Sequence, residues 1–360
     1  MTSASFSPLP GRLVPHAAGS ALSTAPTAGA WAARPQFSAA HFLSSGAGNY
    51  ARSEDPDAPR PQLSRAVADT LTAVKTSVLV NTCNHGRYIE ECIESLLVQT
   101  VLPDEIIVYD DCSRDDTVER LRRYGDRIRL IEGQSKASHP HICQANAVQT
   151  AYQQCRGNLV FLLDGDDRFK RRKIEHYVSV FKNNSDAALI QSPMDKIDQH
   201  GRLIGTNVEP RKHVVEHLKE IYRRQDVDFF YPTSALAFSR TYLDCVLPLD
   251  FSDGMDLWMD TRLSIIAPYF GRVITLPQRL TEWRRHQGSD SLRVRSRRLQ
   301  IEQTLMRTRV FNDFCRRYGL RTISAWRNRR FYLQLLRYSL PETAYHLFHE
   351  RFRSRTAHQA

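Results

Sequence analysis

Three carboxylates stand within four positions of the segment NLVFLLDGDD. Asp164, Asp166 and Asp167 directly follow five consecutive apolar residues. Like charges held this close raise one another's pKa unless a positive charge lies between them. Two interpretations are open: a solvated turn whose aspartates cap a helix, or a site for a divalent cation, which prefers carboxylate oxygens.

A second acidic pair, Asp110 and Asp111, ends the segment EIIVYDD. The uninterrupted apolar residues before each acidic group are typical of strands buried on both faces of a parallel sheet. Ligands bind at the carboxyl ends of such strands. Because both acidic groups fall at predicted strand ends, we expect them to share one rim of the sheet.

The segments around these acids alternate between strand and helix. Helices are expected where apolar residues recur at helical spacing, at residues 88–99, 115–124 and 142–155. Strands are expected between them, at residues 76–84, 104–113, 127–133 and 158–167. This order predicts an α/β fold with right-handed crossovers and a mostly parallel, Rossmann-like sheet flanked by helices.

The composition narrows the class of protein. At 360 residues with 41% hydrophobic residues, the chain is large enough for a substantial core. Its seven cysteines are scattered and form no CxxC pair, which favours a reducing compartment over a disulfide framework or a structural zinc site. No segment approaches the roughly 20 apolar residues that span a bilayer.

Three regions are expected along the chain. Residues 1–70 are rich in Ala, Ser, Pro and Gly, which predicts a disordered tail and linker; a transit peptide or a misassigned start site are the alternatives. Residues 71–291 hold the alternating pattern and form the predicted catalytic domain. Residues 292–360 form an Arg-rich, helical C-terminal extension, which carries most of the net charge of +11.

Three blocks of the chain, in order, resemble a family 2 glycosyltransferase of the GT-A fold. They are VNTCNHGRYIEECIESLLVQ, IIVYDDCSRDDT and ANAVQTAYQQCRGNLVFLLDGDD. The resemblance spans about Ser77 to Ser291. It implies an inverting, metal-dependent enzyme that moves a sugar from a nucleoside-diphosphate donor to a glycan or lipid-linked acceptor. Surface polysaccharide or lipopolysaccharide synthesis on the cytoplasmic side of the membrane is the implied setting.

The resemblance also implies roles for the acidic residues. Asp164 and Asp166 resemble the DxD motif, which holds Mg²⁺ or Mn²⁺ against the donor diphosphate. Asp111 is similar to the carboxylate that recognises the base, with Asp110 either its partner or a capping residue. The full set implied to bind the nucleotide sugar is Thr82, Asn84, Asp110, Asp111, Asn146, Asp164 and His286.

A transferase of this kind needs a carboxylate to take the proton of the acceptor hydroxyl. The family carries this base about six residues before an arginine, and Asp256 lies six residues before Arg262. We therefore predict Asp256 as the catalytic base, with Asp253 and Asp260 as rivals in the same stretch.

The segment TEWRRHQGSDS resembles a further family block. Arg284, Arg285 or His286 could neutralise charge on the departing diphosphate. His286 is also a candidate third metal ligand, and the alternative is a plain surface histidine.

The Arg-rich C-terminal segment has three interpretations. It packs on the catalytic domain, it docks on an anionic membrane, or it binds nucleic acid. Without a recognition motif the third is the weakest.

Two other functions are alternatives for the whole chain. A nicotinamide-dependent dehydrogenase needs a GxGxxG turn after the first strand, and NTCNHG has a single glycine. A catalytically degenerate scaffold or basic membrane- or nucleic-acid-binding protein is the non-enzyme alternative.

Overall fold

A computed structural model describes residues 74–133, 139–251, 257–288 and 297–339. Its strands, in chain order, are β1 (Thr76–Thr82), β2 (Glu105–Asp110), β3 (Arg129–Glu132), β4 (Leu159–Asp164), β5 (Arg168–Phe169), β6 (Ala187–Gln191), β7 (Met194–Ile197), β8 (Leu203–Asn207), β9 (Leu236–Ser239), β10 (Arg272–Thr275) and β11 (Thr281–Arg284).

The α-helices of the described residues are α1 (Ile89–Leu97), α2 (Thr117–Arg122), α3 (Pro140–Gln154), α4 (Lys173–Lys182), α5 (His217–Arg224), α6 (Arg240–Val246), α7 (Met259–Ile266), α8 (Arg297–Arg317) and α9 (Arg329–Ser339). Short 3₁₀ turns lie between several of these elements, among them residues 210–212, 233–235 and 325–327.

The main sheet has seven strands in the order β10-β6-β9-β4-β1-β2-β3. Strand β1 pairs in parallel with both β2 and β4, and β2 pairs in parallel with β3. Strand β9 runs antiparallel to its neighbours β4 and β6. The α/β architecture with a mostly parallel sheet is thus confirmed, with β9 as the antiparallel member.

A smaller sheet of four strands, in the order β5-β11-β7-β8, lies beyond the end of β4. Strand β5 follows β4 after three residues, and β11 pairs with it in antiparallel register. This pairing brings the segment that begins at Thr281 back to the acidic turn after β4.

Both faces of the main sheet are covered. Along β4, Val160 and Leu162 point into one apolar cluster, and Phe161 and Leu163 point into the other. This alternation follows from the two-residue period of a strand. The apolar run before Asp164 is therefore continuous because each face of the strand has its own layer of helices.

The C-terminal helices pack against the domain that precedes them. Phe311 and Cys315 of α8 are fully buried and belong to the same apolar cluster as Tyr269 and Phe270. The Phe311 ring lies 5.9 Å from that of Tyr269. The predicted helical extension is confirmed over the described residues 297–339.

Candidate active site

The strand register brings the two acidic groups to one rim of the main sheet. Thr82 pairs with Asp110 of β2, and the preceding Asn81 pairs with Asp164 of β4. Strand β1 lies between β2 and β4, so the two acidic groups are one strand apart on the same rim.

Asp164 is held at this rim by two hydrogen bonds. Its Oδ1 accepts from Asn81 Nδ2 at 3.0 Å, and its backbone N–H donates to Ser234 Oγ at 3.0 Å. Burial, with the charge of Asp166 as the next cause, raises the pKa of Asp164 to about 7. The carboxylate is therefore destabilised by its surroundings, as expected where a cation completes the site.

Asp166 has a different environment. Its Oδ2 lies 3.0 Å from His286 Nε2, and the His286 ring packs on Tyr88 with a centroid distance of 4.8 Å. Burial opposes ionisation of Asp166. The hydrogen bond from His286 and the charge of His85 outweigh burial and hold the pKa of Asp166 below its usual range.

Gly165 allows the acidic turn to approach β1. A Cβ atom at this position would lie 2.6 Å from Thr82 Oγ1 and 2.9 Å from His85 Nδ1. Both distances are shorter than ordinary contacts, so the DGD sequence has a steric reason for its central glycine.

Asp167 serves the fold. It is 1% exposed, and its Oδ1 accepts the backbone N–H of Arg284 at 2.8 Å. Burial raises the pKa of Asp167, as do the charges of Asp166 and Asp164. The fully buried Lys173 lies nearby and hydrogen-bonds Thr281 Oγ1 at 2.8 Å. Asp167 thus holds the turn after β4 against β11.

Arg284 was one of three residues predicted to neutralise charge on the departing diphosphate. The structure contradicts this role for Arg284. The Arg284 side chain is 0% exposed, and its Nη2 donates to Glu91 Oε2 at 2.7 Å. Its Nε donates to the backbone oxygen of Asp166 at 2.8 Å. The guanidinium therefore fastens the acidic turn to α1, because a buried arginine must satisfy its donors within the protein. Arg285 and His286 stay candidates.

The two acids at the end of β2 differ in what they contact. Asp110 accepts from the hydroxyl and the backbone N–H of Ser113, at 2.5 and 2.9 Å, which is the geometry of a capping residue. Burial raises the pKa of Asp110. Asp111 is 6% exposed, and within the described part of the chain no donor reaches its buried Oδ2. A buried carboxylate oxygen without a donor is uncommon in folded proteins.

The two predicted asparagines lie on different elements. Asn84 has a left-handed backbone, with φ of 56°, and its Oδ1 accepts the backbone N–H of Arg114 at 2.8 Å. Its backbone N–H donates to Ser113 Oγ, so Asn84 ties the loop after β1 to the loop after β2. Asn146 is half-buried in α3 and makes no hydrogen bond to the acidic cluster among the described residues.

The predicted catalytic base Asp256, like its rival Asp253, lies outside the described residues. The other rival, Asp260, is 8% exposed at the start of α7. Its Oδ2 accepts from Thr233 Oγ1 at 3.0 Å. Burial raises the pKa of Asp260, and its charge in turn raises that of Asp164. Asp260 therefore lies beside the acidic rim.

The residues at the rim fit a divalent cation. Asp164 and Asp166 supply hard oxygen ligands, and their buried negative charge is only partly balanced by His286. Among the described residues, no three His, Cys, Asp or Glu side chains converge into a complete metal site. A cation held by the two aspartates would therefore take its remaining ligands from water or from a phosphate group.

The sequence analysis assigned no role at this site to Asn81, His85 and Ser234. It named Asp260 only as a rival catalytic base, and not as a neighbour of Asp164. Asn81 and His85 stand within the quoted block NTCNHG, so their position beside Thr82 was the available signal. Ser234 stands 70 residues from Asp164, and no local pattern connects them.

Parts of this chain are similar in sequence to known proteins. Residues 77–247 match the model of the family "Glycosyl transferase family 2". An uncharacterized glycosyltransferase of Nostoc sp. is 28% identical over 68% of this chain and 77% of its own length. The chondroitin synthase of Escherichia coli is 30% identical over 36% of this chain and 18% of its own.

A solved structure resembles the chain at a lower sequence identity than these relatives. The crystal structure of S. aureus TarS 1-349 in complex with UDP-GlcNAc aligns with a TM-score of 0.48 and 17% identity, over 67% of this chain and 71% of that one. The matched family segment includes Asp111, Asp164 and Asp166 and ends before Asp260 and His286.

Proposed function

We propose that this glycosyltransferase, whose residues 77–247 match the family "Glycosyl transferase family 2", transfers a sugar from a nucleoside diphosphate to a hydroxyl group with inversion. The observation that carries this proposal is the placement of Asp111, Asp164 and Asp166 on one rim, with one buried oxygen of Asp111 that no donor of the described residues reaches.

The donor would lie across this rim. Asp111 Oδ2 would accept an N–H group of the base, which satisfies its orphaned oxygen. Asp164 and Asp166 would hold Mg²⁺ or Mn²⁺, and a bound cation would neutralise negative charge on the diphosphate. His286 would keep Asp166 ionised and oriented through its hydrogen bond.

The transfer itself needs one displacement. The acceptor oxygen forms a bond to the anomeric carbon, and the bond from that carbon to the phosphate oxygen breaks with its electron pair on the leaving diphosphate. We propose that the Asp256 carboxylate takes the hydroxyl proton. Asp260 hydrogen-bonds Thr233, whose neighbour Ser234 accepts from the backbone of Asp164, so it would support the rim.

Two relatives carry names from polymer synthesis: the E. coli chondroitin synthase and a putative teichuronic acid biosynthesis glycosyltransferase of Bacillus subtilis. We propose by analogy that the acceptor is a growing polysaccharide or a lipid-linked glycan. No observation supports the alternative of a catalytically degenerate scaffold. Such a protein need not retain the acidic residues, and Asp111, Asp164 and Asp166 are all present at the rim.

The deciding experiment is calorimetric titration with UDP, GDP and dTDP, each with and without Mn²⁺. We expect one nucleotide to bind in a Mn²⁺-dependent manner and the Asp164→Ala/Asp166→Ala variant to lose this binding. Asp186→Ala is the matched control, because Asp186 pairs with Arg272 at the opposite end of the sheet. Absence of binding for every nucleotide with Mn²⁺ would refute the proposed donor site.

A second experiment addresses the base and the stereochemistry. With the nucleotide identified, Asp256→Asn is expected to lower kcat by a factor on the order of 10² or more while nucleotide binding persists. Asp260→Asn is the comparison, and a larger loss of kcat there would reassign the base. Proton NMR of the product at first turnover reports whether the anomeric configuration is inverted.

A further inference from the structure

Large apolar side chains are exposed at the C-terminal end of the described chain. Trp326 is 63% exposed, and on α9 Tyr332, Leu333 and Leu336 are 48%, 52% and 61% exposed. These three α9 residues lie on the side of the helix away from Phe331, which is 1% exposed. The Trp326 ring packs edge-on against Phe331 at 5.4 Å, so Trp326 lies at the start of this helix.

Two arginines flank this surface. Arg327 and Arg329 are exposed, and among the described residues neither has a carboxylate partner. Arg330, which points the other way, is paired with Asp228. We call Trp326, Arg327, Arg329, Tyr332, Leu333 and Leu336 together the α9 face.

The arginines of α8 are used differently. Arg307 pairs with Asp228 at 3.4 Å, Arg298 with Glu302 at 2.8 Å and Arg316 with Asp313 at 2.6 Å. Most of the basic character of this long helix is therefore matched by acids on the protein itself. Arg317 of α8 has no carboxylate partner among the described residues, and neither do Arg327 and Arg329. Of these three arginines, Arg327 and Arg329 lie beside the exposed apolar residues of the α9 face.

We propose that the α9 face docks the protein on the surface of an anionic lipid bilayer. Tryptophan and tyrosine favour the boundary between water and lipid, and leucines of an amphipathic helix insert just below the headgroups. Arginines beside them attract the negative surface, each contributing about 1 kcal/mol. A phosphate backbone offers no apolar surface that exposed leucines could contact. Exposed leucines beside arginines therefore favour a lipid surface over nucleic acid. The proposal does not depend on the transferase chemistry.

The test is sedimentation of the full chain with vesicles of phosphatidylcholine alone or mixed with phosphatidylglycerol. We expect binding to the mixed vesicles that weakens with added salt. Arg327→Gln/Arg329→Gln is expected to weaken that binding by about tenfold or more, because two charge contributions of about 1 kcal/mol are lost. Leu333→Gln/Leu336→Gln keeps the charge, and we expect a comparable loss.

Matched controls change equal numbers of exposed residues elsewhere. Arg122→Gln/Arg123→Gln at the C-terminal end of α2 makes the same change in net charge, and Leu203→Gln/Ile204→Gln on β8 removes exposed apolar groups. Both controls are expected to bind like the wild type. All these positions are exposed, so the thermal transitions should stay close to that of the wild type.

A fluorescence measurement separates the α9 face from other basic segments. Mixed vesicles should shift the emission of the wild type to shorter wavelength, and Trp326→Phe should remove the shift while sedimentation persists. The proposal is overturned if the wild type does not sediment, or if both α9 variants sediment like the wild type. It is also overturned if these variants instead lose self-association or RNA binding and the vesicles have no effect.

Discussion

Asp164 and Asp166 stand two positions apart, yet their surroundings shift their pKa values in opposite directions. Burial raises the pKa of Asp164 to about 7. Burial also opposes ionisation of Asp166, but the hydrogen bond from His286 and the charge of His85 outweigh it and lower the pKa of Asp166. At the scale of single residues, the surroundings therefore favour the ionised form of Asp166 and disfavour that of Asp164.

The role of His286 gives the first prediction. His286→Ala removes the hydrogen bond to Asp166 Oδ2, so the pKa of Asp166 rises toward that of other buried carboxyls. Mn²⁺-dependent nucleotide binding should weaken on the order of tenfold, and more strongly as the pH falls. Calorimetry at several pH values measures both effects, with the exposed His200→Ala as control. Equal binding by both variants contradicts the assigned role.

Gly165 gives the second prediction. In Gly165→Ala the new Cβ meets Thr82 Oγ1 at 2.6 Å, so the acidic turn must move away from β1. We expect a loss of about 1–3 kcal/mol in the free energy of unfolding, as for other overpacked sites, together with loss of nucleotide binding. Gly125→Ala, where the Cβ meets nothing within 4 Å, tests the cost of backbone strain alone. Nucleotide binding retained by Gly165→Ala would disprove the steric argument.

At the scale of elements, Asp228 joins three parts of the fold. Its carboxylate pairs with Arg211 of the 210–212 turn at 3.0 Å, with Arg307 of α8 at 3.4 Å and with Arg330 of α9. Burial alone would raise its pKa, but the charges of Arg307, Arg211 and Lys212 outweigh it and lower the pKa to about 2.

Asp228 gives the third prediction. Because its pKa is lowered in the folded state, its stabilisation is present above about pH 4 and is lost as the pH falls toward 2. Asp228→Asn should therefore reduce the free energy of unfolding by about 2 kcal/mol at pH 7. The difference from the wild type should shrink near pH 3.

Denaturant unfolding at both pH values measures this change. Asp313→Asn is the matched control on α8, because Asp313 is half exposed and its pairing with Arg316 contributes about 0–1 kcal/mol. Equal destabilisation by the two variants at pH 7 would show that the ion pairs of Asp228 do not stabilise the packing of the 210–212 turn, α8 and α9.

At the scale of the whole molecule, one apolar cluster extends from the main sheet into the C-terminal helices. Phe311 and Cys315 of α8 are buried in the same cluster as Leu79 of β1 and Leu162 of β4. None of the described helices is long and apolar enough to cross a membrane. The buried residues of α8 support the packing interpretation for that helix, and the exposed residues of α9 form the lipid-docking surface that we propose.

The shared core gives the fourth prediction. Phe311→Ala should lower the free energy of unfolding by about 3–5 kcal/mol, as for other buried aromatic residues. The loss should appear as a shift of one cooperative thermal transition. Leu305→Ala, at a position 40% exposed on the same helix, should change stability much less. Two separate transitions in the wild type would contradict a common core.

The sequence alone determined the order of elements and the location of the acids. Continuous apolar runs before Asp110 and Asp164 identify strands buried on both faces, and parallel crossovers put their carboxyl ends on one rim. These signals are local, because each depends on side-chain polarity along a few consecutive residues. The mostly parallel α/β fold could be predicted for this reason, whereas the glycosyltransferase assignment came from the resemblance of three sequence blocks to a known family.

Only the tertiary structure decided which acids have donors within the protein. Asp167 and Asp110 accept hydrogen bonds from Arg284 and Ser113, whereas no donor of the described residues reaches Oδ2 of Asp111. The burial of Arg284 was equally inaccessible, since its partner Glu91 lies 193 residues away. The burial of a side chain and the identity of its hydrogen-bond partner depend on strand register and on packing between distant segments. The polarity of a short stretch of sequence predicts neither of them.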